Sequence, residues 1–150
     1  MRSTSNRRCV WHRFVLASAI AVSALAWHAG VRAQATAAAP AAQSTSDRGV
    51  TLKVTPMPAP AGATEWEFVV VLDTHSEDLA DDLAKSSVLL VDGREIRPSQ
   101  WSGAAPGGHH REGVLKFAAP DQPAATLELR VQRANEATPR VFRWNGAVLR

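Results

Sequence analysis

The stretch Val88-Leu-Leu-Val-Asp-Gly-Arg-Glu-Ile-Arg97 contains the clearest structural signal in the chain. Its central dipeptide, Asp92-Gly93, is favoured in a tight type I′ turn because both central residues of that turn take positive φ. The apolar run Val88-Leu-Leu-Val91 precedes the turn, and Glu95-Ile-Arg97 follows it. The stretch therefore predicts a β-hairpin.

Apolar and polar residues alternate on both sides of this hairpin, which is the pattern of half-buried strands. Seven strands are predicted, at residues 50–54, 66–72, 88–91, 95–97, 114–117, 126–132 and 140–144. A helix of one or two turns is predicted within residues 76–85, because Ser76 can cap a helix and Leu79 and Leu83 are spaced i, i+4.

Seven short strands without parallel crossover helices predict an all-β fold, an immunoglobulin-like antiparallel β-sandwich with one short helix. A small β-barrel is the competing architecture. Trp66 and Trp144 are in phase with the inward positions of their strands, so both are predicted to lie in the core. Trp101 begins a connection at residues 101–113 that is long for two strands, and long ordered loops often carry function.

The first 35 residues are predicted to be a signal peptide rather than part of the fold. Four arginines precede an apolar run at residues 14–27, which is shorter than the roughly 20 residues that a transmembrane helix needs. Small residues at Ala33 and Ala35 suit a signal peptidase. We expect the general secretory route rather than a twin-arginine route or an uncleaved anchor, and a mature protein that is periplasmic or secreted.

Residues 36–48 are predicted to be a disordered Ala/Pro/Ser-rich arm, which leaves residues 49–150 for the β-sandwich domain. From Thr36 onward the chain has 12 lysines and arginines against 14 aspartates and glutamates, a net charge of −2. We therefore expect neither nucleic-acid binding nor a polybasic membrane patch. Cys9 is the only cysteine, and it is removed with the signal peptide, so no disulfide is expected.

Catalytic signatures are missing from the sequence. The chain contains no G-x-S-x-G, H-E-x-x-H, P-loop or G-x-G-x-x-G motif, and no cysteine remains in the mature protein. We therefore expect that the protein is not an enzyme.

Three histidines lie in the two most distinctive motifs of the mature chain. His75 belongs to Leu72-Asp-Thr-His-Ser76, and His109 and His110 belong to Pro106-Gly-Gly-His-His-Arg-Glu-Gly-Val-Leu-Lys-Phe117. The remaining parts of the pattern are Asp92-Gly93, Trp101 and Arg140-Val-Phe-Arg-Trp144. The pattern, which extends from Trp66 to Trp144, resembles a family of small uncharacterised secreted bacterial proteins. The resemblance implies export and a shared place for the three histidines, and it implies no activity.

The histidines could form a metal site if two strands are neighbours. His75 follows the second predicted strand, and His109 and His110 precede the fifth. If those strands are antiparallel neighbours, the three imidazoles gather at one rim of the sheet, provided that Gly107-Gly108 bends the chain. Imidazoles bind copper(II) and zinc(II). Asp73 or Glu112 could then add an oxygen ligand or orient an imidazole.

Two functions follow from these observations. The favoured one is an exported, non-catalytic interaction or structural module with an unidentified protein partner, in which imidazole nitrogens bond backbone carbonyls and hold the long connection in place. The alternative is periplasmic copper or zinc binding through His75, His109 and His110.

The signal-peptide prediction has a direct test. The protein purified from a periplasmic extract should begin at Gln34 or Thr36, because cleavage follows Ala33 or Ala35. Intact-mass measurement identifies the first residue. A full-length chain retained in the inner membrane would contradict the prediction.

Overall fold

The structure, a computed structural model, describes residues 42–149. The predicted signal peptide at residues 1–35 and the first part of the predicted arm lie outside the described residues. Within them the chain forms nine strands, one α-helix and one 3₁₀-helix. They are β1 (Gln43–Asp47), β2 (Val50–Pro56), β3 (Glu65–Thr74), α1 (Leu83–Ser86), β4 (Ser87–Val91), β5 (Arg94–Ile96), β6 (Pro98–Gly103), β7 (His110–Ala118), β8 (Thr126–Val131), β9 (Arg140–Asn145) and a 3₁₀-helix (Gly146–Leu149).

The strands form two antiparallel sheets that pack face to face. The five-stranded sheet has the order β1-β2-β3-β7-β6, and the four-stranded sheet has the order β5-β4-β8-β9. Without β1, this is the strand order of the immunoglobulin fold, in which A, B, E and D form one sheet and C′, C, F and G form the other. The predicted all-β sandwich is confirmed, and the barrel is wrong because the sheets do not join.

The hairpin at residues 88–97 forms as predicted. Asp92 and Gly93 have φ angles of 49° and 84°, and Leu89 of β4 lies opposite Ile96 of β5. The Asp92 carboxylate also accepts hydrogen bonds from the backbone N–H of Thr126 at 2.8 Å and of Ala125 at 3.1 Å. These bonds hold the turn against β8 and lower the pKa of Asp92.

The core lies between the sheets and is built from their inward-facing side chains. Its aromatic centre is Phe68, whose ring centroid lies 5.6 Å from that of Phe117 and 5.8 Å from that of Trp144. Trp144 is buried as predicted, whereas Trp66 and Trp101 are partly buried and pack against the edge of the core.

The edge strand β6 was not predicted, because it has few apolar residues and pairs only with β7. It occupies the start of the supposed long connection, so the loop itself spans only residues 104–109. Gly103 lies opposite Gly113, and the indole of Trp101 covers both. A Cβ at Gly113 would lie 2.6 Å from Trp101 Cζ2, so the ring can approach this closely only where the strand has glycine.

The other unpredicted strand, β1, corrects the prediction of a disordered arm at residues 36–48, because Gln43–Asp47 pair with β2. Composition predicted disorder because β1 has no bulky apolar side chain. Polar contacts hold it instead. The side-chain amide of Gln43 donates to the Arg143 carbonyl at 2.5 Å and accepts from the Arg143 N–H at 3.2 Å. Arg140 donates to the carbonyls of Thr45 and Asp47 at 3.1 and 3.0 Å.

The helix is shorter than predicted. It covers only Leu83–Ser86, and Asp82 rather than Ser76 caps it by accepting a hydrogen bond from the Lys85 N–H at 3.2 Å. The preceding residues stay irregular because their backbone groups bond to other parts of the chain, as described below.

Among residues 42–149, no helix is both long and apolar enough to cross a membrane.

The contacts of β1 predict that its removal destabilises the domain. A chain that begins at residue 48 should lose roughly 2 kcal/mol or more of unfolding free energy, because hydrogen bonds to charged groups contribute about 1.5–3 kcal/mol each. Guanidinium denaturation followed by tryptophan fluorescence measures the loss. A chain that begins at residue 42, which keeps β1, is the control. Equal midpoints for the two chains would show that β1 contributes nothing.

Candidate functional site

One end of the sandwich is closed by residues 75–82, here called the crossover segment. This segment carries the chain from β3 in one sheet to α1 and β4 in the other. Leu79 is fully buried in the core, and Leu83 of α1 follows it there. Most other residues of the segment are polar, so polar contacts must determine its position.

The Gly107-Gly108 dipeptide forms the first of these contacts. The N–H of Leu79 donates to the Gly108 carbonyl at 3.0 Å, and the N–H of Gly107 donates to the Leu79 carbonyl at 2.9 Å. The Gly108 N–H also donates to Asp78 Oδ1 at 2.6 Å. The φ angles of the two glycines are 114° and 76°, which side-chain-bearing residues rarely adopt. The motif therefore ties the crossover segment to the start of β7 through its backbone.

Arg111 makes the second contact, from the inner face of β7. Only 1% of its surface is exposed. Its guanidinium donates to the carbonyls of Leu79 and Asp81 at 2.9 and 2.7 Å. The group lies 5.8 Å from the centre of the Trp101 ring. Burial lowers the pKa of Arg111, although the nearby carboxylates of the crossover segment oppose this shift. Arg111 thus anchors the crossover segment through two of its backbone carbonyls.

The third contact is a chain of buried ion pairs, here called the ionic clamp, formed by Asp81, Arg133, Glu136 and Arg140. Arg133 donates through Nε to Asp81 Oδ2 at 2.9 Å and lies 3.2 Å from Glu136 Oε1. Arg140 donates through Nε to Glu136 Oε2 at 2.9 Å and continues to the Val50 carbonyl at 2.8 Å. The clamp joins the crossover segment, the β8–β9 loop and the β1–β2 turn.

The ionic clamp keeps its charges despite burial. Burial by itself would lower the pKa of Arg133, but the Asp81 hydrogen bond and the surrounding carboxylates raise it overall. Burial would likewise raise the pKa of Glu136, but the Arg140 hydrogen bonds and the two guanidinium charges lower it overall. Arg133 and Glu136 therefore remain charged inside the clamp.

The predicted histidine cluster forms only in part. β3 and β7 are antiparallel neighbours as the metal hypothesis required, and Asp73 lies directly opposite His110. His110 Nδ1 lies 2.6 Å from Asp73 Oδ1, and His110 Nε2 lies 3.9 Å from Glu112 Oε2. His75 and His109 are exposed, and within residues 42–149 neither ring makes a hydrogen bond or an ion pair.

The structure gives the histidine motif a different role from the predicted one. The His110 ring pairs with a carboxylate rather than with a backbone carbonyl. His109 contacts β3 through its backbone, because its carbonyl accepts from the Thr74 N–H at 2.9 Å. Among residues 42–149, no group of three or more His, Cys, Asp or Glu side chains is arranged to hold a metal ion. Copper or zinc binding through His75, His109 and His110 stays a prediction.

A groove of about 610 Å³ opens beside the crossover segment on the outer face of the four-stranded sheet. Its floor includes Val88 of β4 and Arg130 of β8. One wall is the crossover segment with α1, and the other is the β8–β9 loop. The lining residues are Asp78, Ala80, Asp81, Asp82, Lys85, Ser86, Val88, Arg97, Arg130, Gln132, Arg133, Ala134, Asn135 and Pro139.

Sequence reasoning missed both the groove and the ionic clamp. A signal for two of the buried arginines was present, since Arg111 is in phase with the inward residues Leu115 and Phe117, and Arg140 with Phe142. No local pattern connects Asp81 with Arg133, which are 52 residues apart.

The His110 pair gives a titration with a defined sign. The hydrogen bond that the His110 ring makes to Asp73 raises the pKa of His110, and the negative charges of Asp73 and Glu112 raise it further. Any contribution of this exposed pair to the free energy of unfolding is therefore complete below the ordinary histidine pKa of about 6.5. It is lost as the pH rises through the raised pKa. NMR titration of the ring protons should give a midpoint that falls in Asp73→Asn. The control Asp121→Asn, at the opposite end of the sandwich, should not change it. An unchanged midpoint in Asp73→Asn would refute the pair.

The chain matches no protein-family model and no curated protein. Among solved structures, it is similar to MPT63, a secreted protein from Mycobacterium tuberculosis, with a TM-score of 0.43 and 13% sequence identity. The similarity covers 70% of this chain and 92% of that chain. The fold class of the present chain rests on its own strand order, and the resemblance of its histidine motif to small secreted bacterial proteins stays a prediction.

Proposed function

We propose that this chain is an exported, non-catalytic binding module of the periplasm or the extracellular space, and that the groove is its ligand site. The observation that carries the proposal is the contact between the two walls. Asp81 of the crossover segment accepts from Arg133 Nε at 2.9 Å and from the Ala134 N–H at 3.2 Å. A single buried carboxylate thus fixes the distance between the walls.

This contact makes the groove a preformed site. A site whose walls are already fixed loses little conformational entropy when a ligand binds. Here each wall has additional support: Arg111 and Gly107-Gly108 hold the crossover segment, while Gln132 Nε2 donates to the Glu136 carbonyl at 2.6 Å in the loop. The groove volume of about 610 Å³ also falls within the roughly 300–1,000 Å³ typical of small-molecule sites.

The position of the groove in the fold supports the same function by analogy. It lies where the connections between β3 and β4 and between β8 and β9 meet, which correspond to the B–C and F–G loops of an immunoglobulin domain. Variable domains bind their ligands with the loops at this end. Such an analogy concerns location and not ligand identity.

The chemistry of the accessible groups favours binding over catalysis. His110 directs Nδ1 at Asp73, and its Nε2 lies near Glu112, so both ring nitrogens face carboxylates rather than a hydroxyl or thiol nucleophile. The members of the ionic clamp are buried and paired with one another. These groups are therefore engaged in holding the fold.

Filling the groove provides the test. Ala134 is exposed and lines the groove, so Ala134→Trp should occlude it. Ala137 is exposed in the same loop but does not line the groove, so Ala137→Trp is the matched control. Four probes of different chemistry are titrated by amide NMR: an alanine hexapeptide, maltohexaose, a galacturonate hexamer and inorganic phosphate.

At least one probe should shift the amide resonances of Val88, Gln132 and Asn135 in the wild type and in Ala137→Trp. The same probe should leave Ala134→Trp unshifted. If no probe shifts these resonances at millimolar concentration, or if both tryptophan variants respond like the wild type, the groove is not the binding site.

A further inference from the structure

The groove contains two arginine side chains that approach it from either side of one strand. Val88 of β4 lies opposite Arg130 of β8, and Leu89 lies opposite Ile96 of β5. Arg97 follows Ile96 in the chain, so it lies beside Val88 on one side of β4, and Arg130 lies on the other side. Neighbouring strands are about 4.8 Å apart, which places the two arginine backbones roughly 10 Å apart across Val88. Both side chains line the groove, and both are long enough to reach a ligand above Val88.

These two guanidinium groups keep donors that the protein does not use. Arg130 donates through Nε to Glu128 Oε1 at 2.6 Å, and Glu128 accepts from Arg143 at 2.6 Å with its other oxygen. Within residues 42–149, the terminal nitrogens of Arg130 have no acceptor. Arg97 is exposed and has no ion pair within that part of the chain.

The acidic residues of the groove, by contrast, are already engaged. Asp81 accepts from Arg133, and Asp82 lies 2.9 Å from Lys85 Nζ. Asp78 accepts from the Gly108 N–H at 2.6 Å. Each acidic residue of the groove thus has a partner within the chain, whereas Arg97 has no ion pair among residues 42–149 and Arg130 uses only its Nε.

We propose that the groove binds an anionic group, a carboxylate or a phosphate, between Arg97 and Arg130. This inference rests on the proposed function and names its ligand class. Guanidinium groups suit such ligands because their paired N–H groups match two oxygens of a carboxylate or phosphate. Val88 and Ala134 line the same groove, so they can contact an apolar part of a molecule that carries the anion.

The four probes described above separate this inference from the proposed function. The galacturonate hexamer tests a carboxylate, and inorganic phosphate tests a phosphate. Maltohexaose is similar in size to the galacturonate hexamer but has no charge. We expect the groove resonances to respond to the galacturonate hexamer, to phosphate or to both, and not to maltohexaose.

Two variants locate the anion. Arg97→Gln and Arg130→Gln should each weaken binding by about tenfold, which corresponds to the loss of one hydrogen bond between charged groups. Arg94→Gln is the control, because it makes the same charge change on β5 at the opposite end of the sheet and outside the groove.

Two results would overturn the inference. If maltohexaose or the peptide binds as tightly as the anions and the arginine variants match the control, the groove is a ligand site but does not select anions. If neither anion shifts the groove resonances at a concentration of about 10 mM, the anion site does not exist. The proposed function itself fails only if none of the four probes shifts the groove resonances, or if Ala134→Trp responds like the wild type.

Discussion

The guanidinium of Arg133 holds together the connections at the crossover end of the sandwich. It is 3% exposed and contacts Asp81, Glu136 and Glu77, which come from the crossover segment and the β8–β9 loop. Glu136 passes the interaction on to Arg140, which reaches the β1–β2 turn. Loss of one partner from such a buried arrangement costs roughly 3–5 kcal/mol, because the remaining charges stay buried without compensation.

The ionic clamp explains how a chain without disulfides in its described part can position several polar loops. Apolar packing is non-directional, so it would bury Leu79 without fixing the orientation of the residues beside it. Hydrogen bonds to a planar guanidinium have defined directions, and the acceptors of Arg111 and Arg140 include backbone carbonyls on neighbouring segments. The geometry of the groove is therefore a by-product of the way the end of the sandwich is closed.

The sequence predicts those parts of the structure in which the buried positions follow the alternation of apolar and polar residues. The Asp92-Gly93 turn and the inward valines and leucines of β2, β3 and β8 follow from short-range patterns, and together they were sufficient for the fold class. β1 and β6 escaped prediction because an edge strand can pair through its backbone without apolar side chains. The proximity of Asp73 and His110 could be predicted, because it follows from the pairing of β3 with β7. The contacts of Gly107-Gly108 could not, because they depend on the conformation of the loop. Arg111 and Arg140 occupy inward positions, but an alternation pattern treats charged residues as exposed.

The side-chain amide of Gln43 has a further consequence for the behaviour of the protein at high concentration. An uncovered sheet edge offers unpaired N–H and C=O groups to a strand of another molecule, which is a route to aggregation. Gln43 occupies the N–H and C=O of Arg143 on the free side of β9, as a paired residue in a neighbouring strand would. Because the polar strand β1 supplies this amide, the same segment that contributes little to the core also keeps the backbone of Arg143 from pairing with a strand of another molecule.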